Sequence, residues 1–163
     1  MSQRGQSTLY AVLLFPMLML LLTLVADVGS LQVERVRLRW AQDTALVDAV
    51  TEVDVSHYNA TGHLQVDPAA EQVYRQYLAS NLESMRGLLA AAGATPESVA
   101  ADADVSVVDT VPATNPFTGH SLDRPAICAR IRAPIKTGLL HMIGLSDVQT
   151  LTISGDAEIK SDQ

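Results

Sequence analysis

LYAVLLFPMLMLLLTLVA, residues Leu9–Ala26, is an eighteen-residue run without a charged side chain. At 1.5 Å of rise per residue it makes a helix roughly 27 Å long, close to the hydrocarbon thickness of a bilayer. A helix is the one single-segment structure that satisfies its own backbone in that medium. Nothing later in the chain is comparably apolar. The run therefore predicts one membrane-spanning helix, followed by a water-soluble remainder large enough for one modest domain.

A cleaved secretory signal is the competing reading. Signal cores run about 7–15 residues and end at a small-x-small site. This run is longer and ends Val25-Ala26-Asp27-Val28-Gly29-Ser30, a poor site of that kind, with helical register continuing beyond it. The sequence favours the anchor.

Arg4 is the one charged side chain before Asp27, so the remainder carries 10 Lys+Arg against 18 Asp+Glu, a net of −8. An acidic surface has no basic footprint for phosphate, so no nucleic acid is expected as partner. It also lacks a polybasic grip on anionic lipid. Cys128 is the single cysteine, which excludes an intramolecular disulfide and reads as a small buried strand residue. Asn59-Ala60-Thr61 fits a glycosylation sequon that has meaning only in a glycosylating host. Arg35, Arg37 and Arg39 outnumber Arg4, and a plain count puts that side of the membrane in the cytoplasm. Those arginines begin eight residues beyond Asp27, which weakens the count.

Working outward, no proline occurs from Ser30 to about Val55, and helix formers dominate. Leu31, Leu38, Ala41, Ala45 and Ala49 form one apolar stripe; Val33, Val36, Trp40, Val47 and Val50 form a second. Two stripes predict a helix packed on more than one side, partly against its own domain and partly against neighbours. Pro16 removes a backbone bond in mid-span and predicts a kink or local unwinding. His57 to Val66 reads as a loop. Asp67-Pro68 reads as N-cap and first residue of a second helix, with Val73, Tyr77, Leu78, Leu82, Met85 and Leu89 inward and Gly93 as its C-cap. Thr95-Pro96-Glu97 starts a short third helix to about Ala101.

The period then changes from 3.6 to 2. Val105, Val107 and Val111 alternate with polar residues. Ile127, Ala129, Ile131 and Ala133 oppose Cys128, Arg130 and Arg132; Leu151, Ile153, Gly155, Ala157 and Ile159 oppose Thr152, Ser154, Asp156, Glu158 and Lys160. Such alternation predicts an antiparallel sheet with one wet face. Pro112 to Pro125 reads as a long loop, and Thr137 to Leu145 as a short apolar helix or turn. The fold class is α+β: a long N-terminal transmembrane and stem helix, pilin-like, then one or two helices on a small antiparallel sheet.

No catalytic constellation is present, and no enzyme activity and no cofactor are expected. His57, His63, His120 and His141 are scattered. His57 and His63, near Asp54 and Asp67, match no zinc-ligand spacing and read as solvated loop residues. Phosphate loops, Gly-x-Ser-x-Gly and His-Glu-x-x-His motifs do not occur. Asp102 and Asp104, or the Asp123 loop, are weak calcium candidates because two carboxylates do not make a cation loop. Asp27 closes the apolar run either as a hydrated boundary residue or as a charge paired with an adjacent subunit.

Arg4-Gly5-Gln6, the apolar span with Pro16, and Val25-Ala26-Asp27-Val28-Gly29 resemble the N-terminus of TadE/TadG-like proteins of the Tad (tight adherence, Flp) pilus system. Arg35-Val36-Arg37-Leu38 and Ala41-Gln42-Asp43-Thr44-Ala45-Leu46 resemble that family's leucine and Ala-Asp-x-Ala-Ala-Leu segment. The resemblance covers about residues 4–50; beyond that, Ser154-Gly155-Asp156-Ala157 is similar in style alone. It implies Gly5 as the processing position. The family's glutamate five residues later is Tyr10 here, which points to the uncut, anchored TadG-like branch. The resemblance also implies a cytoplasmic N-terminus and an outer head, against the arginine count.

The expected organisation is a tail over 1–8, a transmembrane helix over 9–26, a helical stem over 27–56 and an α+β head over 57–163. The expected function is that of a minor pilin or pilus-assembly protein, single-pass in the cell membrane, with a surface pilus as its destination. It acts through membrane and helix packing by Leu9, Leu13, Pro16, Leu20, Leu24, Asp27, Leu31, Leu38 and Ala45. Its partners are the membrane and pilin or pilus-assembly subunits, in homo- or hetero-oligomers. The alternative is a membrane-tethered adhesion module that grips through residues 112–125 with Phe117 and His120.

Overall fold

The structure, a computed structural model, describes residues 3–52, 54–137 and 146–159. Helix α1 (Gln3–Val50) has 48 residues, which at 1.5 Å each makes a rod roughly 72 Å long. Pro16 lies inside it without ending it. The backbone bond that Pro16 cannot donate is a local loss within an otherwise helix-forming run. Thr23 Oγ1 donates to Leu20 O and Ser30 Oγ to Asp27 O, both at 2.8 Å. Bonding to the preceding turn satisfies these hydroxyls on their own helix, which lets an apolar rod carry them.

The rod closes at Val50, short of the expected Val55. Glu52 N still reaches Ala49 O at 3.2 Å, but Asp54 then opens a new helix, its Oδ1 accepting from His57 N at 2.9 Å. This helix, α2 (Val55–Thr61), replaces most of the expected loop and ends on Gly62 at φ 73°. The expected Asp67 N-cap is displaced. Asp67 Oδ1 does accept from Ala69 N at 2.7 Å, yet that closes a turn, and α3 (Ala70–Asn81) begins after it. A 3₁₀ turn, Leu82–Met85, separates α3 from α4 (Arg86–Ala91), so the second helix is two pieces. Gly93, at φ 81°, caps α4 as expected, with Ala94 N on Leu89 O. Helix α5 (Pro96–Ala101) carries the expected Thr95 cap, reciprocated by Ser98. Arg75 Nη1 donates to Ala100 O at 2.8 Å, which places a cation at the negative end of α5.

Strands β1 (Asp104–Val108), β4 (Ala126–Lys136) and β5 (Val148–Glu158) form an antiparallel sheet with β4 central. The register sets Val105 and Gly155 on either side of Ala129, and Ile153 beside Ile131. The Ile127–Ala133 set faces the helices, as its alternation predicts, in one core with Leu38, Leu46, Tyr74, Leu78, Leu82 and Leu89. Val111 is not in β1; it precedes the cis peptide at Pro112. The 112–125 segment is not an open loop either. It pairs β2 (Ala113–Thr114) with β3 (Ser121–Leu122) and lays Phe117 and Leu122 over Cys128 and Ala126 on the outer face. That face is therefore wet at the Arg132–Thr152 end and covered at the Cys128 end. Most of the 137–145 turn, with His141, and also Lys160, lie outside the described residues.

Candidate functional site

The distinctive element is α1, and its two ends do different things. Residues 12–50 make the one helix among the described residues that is long and apolar enough to cross a membrane. Leu13, Leu20 and Leu24 are exposed, as are the large apolar side chains around them on every side. A helix apolar all round and covered by nothing belongs in lipid or in a bundle of other helices. Asp27, at the upper end of the apolar run, is half-buried. Of the expected packing residues, Leu38 and Ala45 are fully buried and Leu31 partly so, all against the chain's own head. Leu38 and Ala45 dock the rod onto the domain, and Leu31 contributes with the part of its side chain that is covered. Nothing is described for the Leu9 side chain, and Gly5 is simply helical.

The docking face is built for close approach. Ala41, Ala45 and Ala49 put small side chains against α3 and β5, where bulk would hold the elements apart. Gly155 completes the fit. A Cβ there would stand 3.3 Å from Leu46 Cδ1 and 3.4 Å from Asp43 Oδ1. Through that gap the buried Gln42 donates from Nε2 to Ala129 O at 2.8 Å. Among the described residues, Gln42 Oε1, Glu34 Oε2 and the Tyr74 hydroxyl are buried without a hydrogen-bond partner. Burial holds the Tyr74 phenol protonated well above its ordinary range, with Arg75 opposing and Asp43 adding to the shift. The rod surface carries local ion pairs, Arg37 to Glu34 at 3.3 Å and Arg39 to Asp43 at 3.6 Å. The Arg39–Asp43 pair is exposed at both ends and contributes little stability, whereas the Glu34 side chain is largely buried beneath Arg37.

The other candidate residues do not converge. Asp54 and Asp67 spend carboxylate oxygens on backbone N–H groups, and among the described residues no three His, Cys, Asp or Glu side chains gather as a metal set. His63 lines a shallow hollow of about 660 Å³ with Tyr58, Gly62, Leu64, Asp109, Thr110, Val111 and Pro125. Asp109 is committed there: its carboxylate accepts from Val66 N at 3.1 Å and Gln65 Nε2 at 3.2 Å. Asp102 is the C-cap of α5, while Asp104 sits in β1 and is gripped by Arg130 at 2.8 Å and Arg132 at 2.9 Å. The hydrogen bond from Arg130, together with the charge of Arg132, holds the Asp104 carboxyl below the usual carboxylate range. Two arginines on one carboxylate are the opposite of a calcium site.

The 112–125 hairpin is fastened down. Asn115 Nδ2 donates to Asp156 Oδ1 at 2.7 Å, and Asn115 Oδ1 accepts from Phe117 N and Thr118 N. The Arg130 guanidinium lies 5.0 Å from the centre of the Phe117 ring. The Phe117 assigned to gripping a partner is thus spent on the sheet, and His120 remains exposed at the turn. Burial pushes the Cys128 thiol up to about 11, helped by Asp156 and Glu158. Gln42 and Gly155 were not singled out by sequence reasoning. A polar residue amid an apolar stripe and a glycine on an inward strand position are the signals that mark them.

Comparison with curated proteins and with solved structures gives no match. The rod and the family likeness together fit a pilus-associated membrane component. Residues 5–52, nearly the whole of α1, match the Tad family model described as "Putative Flp pilus-assembly TadE/G-like".

Proposed function

We propose that this protein is a membrane-anchored structural component of a Tad/Flp-like pilus, a minor pilin or assembly protein that works by helix packing. One observation carries the reading: α1 is a single 48-residue helix with exposed apolar residues in its lower half and a head docked on its upper half. The two halves divide the labour. Leu13, Pro16, Leu20 and Leu24 belong to the part held in lipid or against neighbouring rods, with Leu9 at its start and Asp27 at its rim. Leu31, Leu38 and Ala45 transmit that position to the head. The partition into tail, anchor, stem and head at residues 8, 26 and 56 follows the same division, with the N-terminus cytoplasmic and the head outside. The Tyr10 substitution for the family's glutamate supports an N-terminus left uncut after Gly5.

The test places a charge in the rod and reads assembly and folding separately. Leu20→Arg, made in the native host, is expected to abolish pilus assembly while the head keeps its protease resistance. Normal filaments from that variant would overturn the reading. N-terminal mass spectrometry of the native protein then separates an intact anchor from cleavage after Gly5.

A further inference from the structure

Val33, Val36, Trp40 and Val47 project from the stem at 51%, 68%, 64% and 56% exposure, spaced by three, four and seven. At roughly 100° per residue they share one side of α1, facing away from Leu38, Ala41, Ala45 and Ala49, which hold the head. The same side continues downward through Gly29 to Leu22 and Leu18. From Leu18 to Val47, the successive steps of four, seven, four, three, four and seven are heptad spacing with a single four-residue phase shift between Gly29 and Val33. No lipid reaches the upper part of this seam. Trp40 stands about 21 Å of helix above Ala26, and the headgroup layer adds only about 5–7 Å to the hydrocarbon on each side. Nor does charge recommend a strongly charged partner: Arg37 is countered by Glu34, and Asp43, beside the seam, by Arg39.

The occupant must match a seam that begins in the membrane and ends at Val47. It must be a membrane helix that continues as an apolar-striped stem in parallel register. The chain itself supplies such an object. We infer that Val33, Val36, Trp40 and Val47 form a parallel self-association seam, against which α1 of a second copy packs with the two heads turned outward. Each seam residue then meets its own counterpart across a two-fold axis. The inference rests on α1 being retained as anchor and stem, and goes further by naming the surface and the partner.

Disulfide mapping in native membranes tests it with the full chain, in a Cys128→Ser background. With copper–phenanthroline as oxidant, Val33→Cys, Val36→Cys and Trp40→Cys are expected to give a product of twice the chain mass. Arg35→Cys, off the seam, is expected to give almost none. Adding Trp40→Glu to Val33→Cys is expected to cut the dimer about tenfold, the response of a central aromatic anchor. Equal crosslinking from Arg35→Cys means random collision and overturns the seam. Membrane-bound monomer alone, or adducts of some other mass, overturns the second copy while leaving the anchored pilus component standing. Recovery of the chain outside the membrane fraction overturns both readings.

Discussion

Gln42 on α1 and Ala129 in the central strand lie 87 residues apart in the chain, and the Gln42 side-chain amide donates to the Ala129 carbonyl at 2.8 Å. That bond ties the rod to the middle of the sheet at a fully buried point. Its removal leaves a cavity and withdraws one acceptor's partner from a dry interface. Gln42→Ala is therefore expected to destabilise the head by about 2–4 kcal/mol. Denaturant unfolding of the detergent-solubilised full chain measures this, and an unchanged midpoint would show that the contact is incidental.

Gly155 is the matching device on the sheet side. A valine there must displace Leu46 and Asp43, and the expected cost is about 1–3 kcal/mol. Alanine meets Leu46 Cδ1 at 3.3 Å, a flexible side-chain end, and regains about 0.5–1 kcal/mol of strand entropy that glycine forfeits. The valine variant should melt well below wild type and the alanine variant close to it. Equal melting of the two would remove the close-approach explanation.

The parts legible in the sequence are those written in local signals. An uncharged apolar run, a Thr-Pro helix start and alternating strands each depend on neighbours along the chain. Helix α2 escaped because seven residues are too few for periodicity to register, although its caps, Asp54 and Gly62, are ordinary signals. Both stem stripes were visible, but periodicity is blind to which stripe the head takes; the sheet and α3 decide that through Leu38, Ala41 and Ala45. Gln42 and Gly155 depend on each other across the fold, so neither carries its meaning alone. Phe117 read as a free grip because its partner, Arg130, belongs to another strand.

The hairpin over the outer face guards Cys128. With its thiol buried and pushed up to about 11, the folded protein at pH 8 is expected to resist a water-soluble maleimide and to react fully once denatured. Asn115→Ala removes the Asp156 tie and the acceptor for Phe117 N and Thr118 N together. That variant should lift the hairpin and raise the native labelling rate at least tenfold, the opening reflecting roughly 1–3 kcal/mol of lost polar contacts. Rapid labelling of the wild type would mean that the hairpin does not cover the thiol.

Asp104 gives the sheet an acid-sensitive clasp. Its carboxyl is held below the ordinary value by the hydrogen bond from Arg130 and the charge of Arg132. A depressed folded-state value means that the contribution is fully present above the ordinary carboxylate range, about pH 4, and is lost as pH falls through the lower folded value. Asp104→Asn should therefore melt slightly below wild type at pH 7, and the two curves should converge on acidification below about pH 4. Because the pair is exposed, 0.5 M salt should narrow the gap at neutral pH as well. A melting difference that persisted unchanged to pH 2.5 would assign Asp104 a packing role in place of an electrostatic one.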